Sequence, residues 1–196
     1  MAVYMDSCCF IDVAKYDLGH KDKIDHLADK EEHIKACIKM IDAAKKGNIR
    51  VLTGNITISE CQHLSGFVDE DIKRLFRSTL TSGRVVRIVA DSIFIAERAR
   101  NLMWDYQIKL GGADAHHVAT ALESNCGEFL TSDKGILKWA TEIEKLGLKV
   151  IRAEHSKELA QLALTESTQR ALPAVSGQNS LFGTQDDDEQ DDGESN

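Results

Sequence analysis

The sequence predicts an α/β fold in three layers, with helices on both faces of a central parallel sheet. Two observations carry this. Short apolar runs of strand length alternate with segments of helical periodicity along most of the chain. The first run, Ala2 to Met5, is apolar at successive positions, the profile of a strand buried on both faces. At 196 residues, with 42% hydrophobic and 29% charged, the chain is long enough for one packed domain with an appendage.

In chain order, Ala2–Met5 is a strand ending at Asp6. Residues 13–32 are rich in Lys, Asp and His with few apolar anchors, and read as a lid or loop. Residues 33–46 carry Ile34, Cys37, Ile38, Ile41 and Ala44 at helical spacing, and Gly47-Asn48 stops that helix. Ile49 to Thr53 is the second strand. Thr57 or Ser59 starts a helix through Glu60, Cys61 and Leu64, and Asp69 caps another with Ile72, Leu75, Phe76 and Leu80. Val85 to Val89 is the third strand, and Asp91 caps a long helix with Ile95, Ala99, Leu102, Met103 and Tyr106 on one face. Gly111-Gly112 breaks the chain before a helix over 113–123. Glu128 to Thr131 is a strand, Asp133 opens a helix with Ile136, Leu137 and Ala140, and Leu148 to Ile151 is the last strand. The domain reading is 1–153 for the α/β unit, 154–173 for one further helix through Leu159, Leu162 and Ala163, and 174–196 for a disordered acidic tail.

The charge distribution supports that division. Residues 154–196 hold ten acids against Lys157 and Arg170, so the net charge of −8 lies there and 1–153 balances. The acidic pI therefore does not exclude a polyanionic substrate. MAVYMDSCCF has no basic segment and is not read as a secretory signal. No apolar run approaches the length of a membrane span, so no membrane partner is expected. Five scattered cysteines without CxxC spacing point to a reducing cytoplasm rather than a disulfide scaffold.

Four acids fall where ligands gather in a parallel sheet, beyond the carboxyl ends of its strands. Asp6 ends the first strand, and Glu60 lies on the helix after the second. Asp114 is in the first turn after Gly111-Gly112, and Asp133 comes just after Phe129-Leu130-Thr131. Converging carboxylates repel unless a cation sits among them, and Mg²⁺ or Mn²⁺ suits an all-oxygen set. Such an ion activates water and offsets charge on an attacked phosphodiester. Asp114 and Asp133 also have a simpler reading as helix caps. Asp6 resists that, since a carboxylate beside a buried strand needs partners. Asp12 either joins the cluster or faces solvent.

The segments VYMDSCCFID (3–12), TISECQHL (57–64), GGADAHHVATAL (111–122) and FLTSDKGIL (129–137) resemble the motifs of the PIN-domain ribonucleases, in the same order. The resemblance spans roughly residues 2–152. It implies a PIN-like fold and an Mg²⁺- or Mn²⁺-dependent endoribonuclease, with Asp6, Glu60, Asp114 and Asp133 as catalytic and metal-binding acids. In style it is similar to VapC-type toxins, which implies an RNA substrate, a protein antitoxin and a homodimer. It departs from the family at Ser7-Cys8, where Thr-Asn is usual, and in the long insert at 13–32. Haloacid dehalogenase-like phosphatases need an Asp two residues after the first, where this chain has Cys8. The non-enzyme alternative is a catalytically degenerate PIN-like scaffold that binds RNA or protein.

Other residues carry secondary expectations. Lys73, Arg74, Arg77, Arg84, Arg87, Arg98 and Arg100 either track phosphates or form a solvated helix surface. His116 and His117 lack ligand-spaced partners for zinc, and are assigned surface or substrate contacts with core packing for one of them. Cys8-Cys9 reads as a buried pair, Ser7 or Ser132 as a hydrogen-bond donor to a ligand or water, and Trp104 and Trp139 as core residues.

Overall fold

The computed structural model describes residues 2–61 and 70–171. Its strands are β1 (Ala2–Met5), β2 (Arg50–Gly54), β3 (Val86–Val89), β4 (Glu128–Leu130) and β5 (Lys149–Ile151). Its helices are α1 (Ser7–Asp17), α2 (Leu27–Lys45), α3 (Ile56–Glu60), α4 (Glu70–Phe76), α5 (Ile93–Trp104), α6 (Gly112–Glu123), α7 (Lys134–Leu137), α8 (Ala140–Glu144) and α9 (Lys157–Ala171). A π-helical stretch, Arg77–Thr81, continues α4. The described residues include no helix long and apolar enough to cross a membrane.

The five strands form one sheet in the order β3-β2-β1-β4-β5, and every pairing is parallel. β1 is central: Val3 stands opposite Val51 on one side and Glu128 on the other. Successive side chains of a strand point to opposite faces, and both faces are covered. Val3 and Met5 pack with Cys9, Phe10, Ile34 and Met40 of α1 and α2. Tyr4 packs with Leu102, Val118, Phe129 and Ile143 on the α5, α6 and α8 side. This is the three-layer α/β/α arrangement expected from the strand and helix alternation.

Residues 13–32 are not a loop. α1 runs to Asp17, a single 3₁₀ turn comes next at Lys21–Lys23, and α2 begins at Leu27. Val13, Ala14 and Ile24 are buried, and polar contacts add to their packing. Lys30 Nζ reaches the buried Asp12 at 2.9 Å, Tyr16 donates to Glu31 at 3.2 Å, and Lys21 lies over the Tyr16 ring at 4.1 Å. Hydrophobic periodicity does not register helices anchored in this way. Asp12 therefore neither faces solvent nor joins the other acids.

Three smaller features differ from expectation. The N-cap of α5 is Ser92, whose hydroxyl accepts from the Ile95 N–H, while Asp91 accepts from the Ser92 N–H. The segment opened by Asp133 is two short helices, α7 and α8, broken at Lys138-Trp139. Trp104 is 65% exposed, with the Arg100 guanidinium 4.6 Å over its ring, and is not a core residue. Leu64 and Asp69, and the tail expected over 174–196, lie outside the described residues.

α9 is attached by a carboxylate from the sheet. Glu128 is buried in β4, and its two oxygens accept from the Ser156 hydroxyl at 2.6 Å and the Lys157 N–H at 2.9 Å. Leu159 and Leu162 of α9 then pack against the α2-side core. Replacing Glu128 with Ala strands two buried donors, at a cost of about 1–3 kcal/mol. The expected readout is faster amide hydrogen exchange along α9; unchanged protection would show that apolar packing alone holds the helix.

Candidate active site

The strand order reverses between β1 and β4. The chain steps from β1 to β2 and β3 on one side, then returns to place β4 and β5 on the other. The carboxyl ends of these two strands flank the crevice that this reversal opens. Asp6 leaves β1 there, and Asp133 comes after β4 as the N-cap of α7. α3 brings Glu60 in from β2, and α6 begins with Asp114 in its first turn.

Asp6 is only 4% exposed, and it is compensated by donors. Its Oδ1 accepts from the Ser7 N–H at 2.7 Å, and its Oδ2 accepts from the Thr131 hydroxyl at 2.7 Å and the Cys8 thiol at 3.3 Å. The Thr131 hydroxyl oxygen in turn accepts from the Asp133 N–H at 3.0 Å, so one side chain ties the two strand-end acids together. Ser132 donates to Cys8 Sγ at 3.6 Å. Cys8 is half-buried rather than buried. Its contact with Cys9, its burial and the Asp6 charge push its thiol well above the usual range, so it is a hydrogen-bond donor and not a nucleophile.

Glu60 is reached by a residue whose role is not evident from its neighbours in sequence. His117 is 1% exposed, its Nε2 lies 2.6 Å from Glu60 Oε2 and 3.7 Å from Asp6 Oδ1, and its Nδ1 lies 2.8 Å from the Tyr4 hydroxyl. Asp6 and Glu60 thus share one nitrogen as neighbour. The start of α3 is fixed to the sheet by Thr53, whose hydroxyl donates to the Met5 carbonyl at 2.8 Å and meets the Thr57 hydroxyl at 2.6 Å. His116 instead pairs with Asp91 near the surface at 3.2 Å.

Asp114 registers all the other acids. Burial pushes its carboxyl above the ordinary value, and the charges of Asp133, Asp6 and Glu60 push the same way, against His117. Burial lowers His117, but the hydrogen bond to Glu60 and the charges of Asp6, Glu60 and Asp114 outweigh it and raise it. Asp6, Glu60 and Asp133 are thus each within electrostatic reach of Asp114. Asp133 also caps α7, its Oδ1 accepting from the Gly135 N–H. The capping role read from sequence is thus real, and it coexists with the cluster. An all-carboxylate set is the chemistry that suits a hard divalent cation, although no three of these acids place oxygens within 4.8 Å of one another.

A tighter set does not suit an ion. Cys9, His33 and Cys37 are wholly buried between α1 and α2, with both sulfurs 3.5–3.6 Å from His33 Nε2. The Ala153 N–H donates to His33 Nδ1 at 2.9 Å, so the proton of the neutral ring sits on Nε2, facing the sulfurs. Burial holds the ring below its ordinary pKa, despite Glu154 nearby. The nitrogen that would face an ion already carries a proton, and the trio is a hydrogen-bonded knot joining two helices.

The basic stretch is largely neutralised in place. Lys73 pairs with Glu70, Arg74 with Asp71, Arg98 with Glu123 and Arg100 with Glu97. This agrees with the solvated-surface reading for those four.

No curated protein and no solved structure gives a significant match. The family model described as the PIN domain matches residues 24–142, which include Glu60, Asp114 and Asp133 and leave Asp6 upstream. That match covers more than half of the chain and agrees with the parallel sheet and its acidic crevice, and the chain belongs to the PIN domain family, a nuclease-type fold.

Proposed function

We propose that this chain is an Mg²⁺- or Mn²⁺-dependent endoribonuclease whose catalytic and metal-binding residues are Asp6, Glu60, Asp114 and Asp133. One observation carries the reading: a single buried nitrogen, His117 Nε2, lies beside both Asp6 and Glu60, while the Thr131 hydroxyl ties Asp6 to Asp133. In this reading the nuclease unit spans 1–153, and the small single-domain style extends it to a toxin held by a protein antitoxin.

A divalent ion at the four acids supplies charge neutralisation and a water of lowered pKa for attack on the phosphodiester. The protein's own groups hold the acids ready for it. Thr131 and Cys8 keep Asp6 from rotating, since each donates to Oδ2. The Gly135 N–H donates to Asp133 Oδ1 and fixes its orientation at the start of α7. Burial of Asp6 excludes water from one side of the cluster and strengthens every charge interaction there.

The test is cleavage of RNA by the full chain with Mg²⁺ or Mn²⁺, with EDTA, and after Asp114→Asn. The expected result is metal-dependent internal cleavage that EDTA abolishes and Asp114→Asn reduces by at least about 100-fold. RNA that is bound but stays intact under every metal condition would favour the scaffold alternative.

A further inference from the structure

We propose that His117 is a positioning residue that holds Glu60 in place for cation binding, with Tyr4 and Gly54 completing the hydrogen-bonded chain behind its ring. This rests on the metal-centre reading above and deepens it.

The direction of each hydrogen bond is set by the carboxylate, since Glu60 Oε2 can only accept and the hydrogen at 2.6 Å must therefore be on His117 Nε2. Nδ1 of the neutral ring is then an acceptor, and the Tyr4 hydroxyl donates to it at 2.8 Å. The Gly54 backbone N–H donates to the Tyr4 hydroxyl oxygen at 2.8 Å. A doubly protonated ring presents the same hydrogen to Glu60. The wire therefore runs from a backbone amide of β2, through β1 and α6, to a carboxylate on α3.

Packing leaves little freedom in its middle. Tyr4 is fully buried and stacks on Phe129 at 5.1 Å between ring centroids and 9° between planes, with the His117 ring edge-on at 5.9 Å. Position 54 admits only glycine at this approach, since a Cβ there would stand 2.9 Å from the Tyr4 hydroxyl. Glu60, by contrast, is the last residue of a five-residue helix, and its side chain is 28% exposed. The neighbouring carboxylates repel it. A fixed N–H on one oxygen restrains it, as partners of ligating carboxylates do in metal sites generally.

The experiment uses the full chain and reads Mn²⁺ binding by calorimetry without RNA, alongside melting temperature. His117→Gln places an amide N–H where Nε2 stands, whereas His117→Asn reaches only the Nδ1 position. His117→Asn is expected to weaken Mn²⁺ binding by about 10- to 100-fold, while His117→Gln stays near wild type. In cleavage assays, the concentration of Mn²⁺ needed for half-maximal rate should rise by the same factor for His117→Asn, with most of the rate recovered at saturating ion. Tyr4→Phe keeps the ring packing and removes only the hydroxyl, and should show a smaller loss of the same kind. Imidazole ¹⁵N spectra of the metal-free wild type, at a pH where the ring is neutral, should show the Nε2–H tautomer. Equal binding by the Asn and Gln variants, wild-type binding by the Asn variant, or an Nδ1–H tautomer would each overturn the role of His117. A wild-type protein that binds no Mn²⁺ would overturn the metal-centre reading itself, and this role with it.

Discussion

Asp6→Asn should lower metal-dependent RNA cleavage by at least about 100-fold while leaving the melting temperature within a few degrees of wild type. The two outcomes separate because the substitution changes charge but hardly changes shape. Asparagine keeps an oxygen to accept from the Ser7 N–H, which stands 2.7 Å from Asp6 Oδ1. Its amide nitrogen would take the place of Oδ2 and face the Thr131 hydroxyl and the Cys8 thiol. Both of those groups rotate and can accept as well as donate, so no buried donor is stranded. Removing one negative charge from a crowded acidic crevice also relieves repulsion, which offsets part of any loss. A carboxylate is needed only where a cation must be held. Cleavage kinetics and a thermal melt on the same preparation check the prediction, and unimpaired cleavage would remove Asp6 from the centre.

The largest loss of stability is expected from Phe129→Ala. Phe129 is fully buried in β4, paired in register with Tyr4 of β1 and Val150 of β5, and its ring stacks on Tyr4. Truncation removes the transfer energy of the ring and leaves a cavity that the central strands cannot collapse, at a cost of about 3–5 kcal/mol. For a chain of this size that corresponds to a fall in melting temperature of roughly 10 °C. Chemical denaturation with an unchanged m-value and a lower midpoint would match it. A loss below about 1 kcal/mol would mean that the α5–α6 layer closes over the gap.

Strand ends are the legible part of the site. Asp6 and Asp133 stand just past apolar runs, and a parallel sheet gathers the residues beyond its strands along one edge. Asp114 is marked by the Gly111-Gly112 break before α6. The partners of these acids are not legible, because they are joined across the chain rather than along it. His117 lies 57 residues from Glu60 and 113 from Tyr4. One local signal does exist: Asp114 and His117 are three apart on a helix and so share a face. Composition favours neither Thr131 nor Ser132 as the partner of Asp6, although period-two alternation continued past Leu130 turns residue 131 inward. The helices around residues 13–32 are hidden for a different reason. Their anchors include an ion pair from Asp12 to Lys30 and a tyrosine-to-glutamate contact, and patterns of apolar residues do not report these.

The central place of β1 has a consequence for how the molecule comes into being. Residues 3–5 pair with residues 128–130, although the ribosome makes the second group about 125 residues after the first. Until then a nascent chain offers one naked edge of its middle strand, a surface open to improper pairing. It also lacks Asp133, and Thr131 is not yet present to clasp Asp6. Synthesis from the amino end therefore withholds the complete set of acids until residue 133 has emerged.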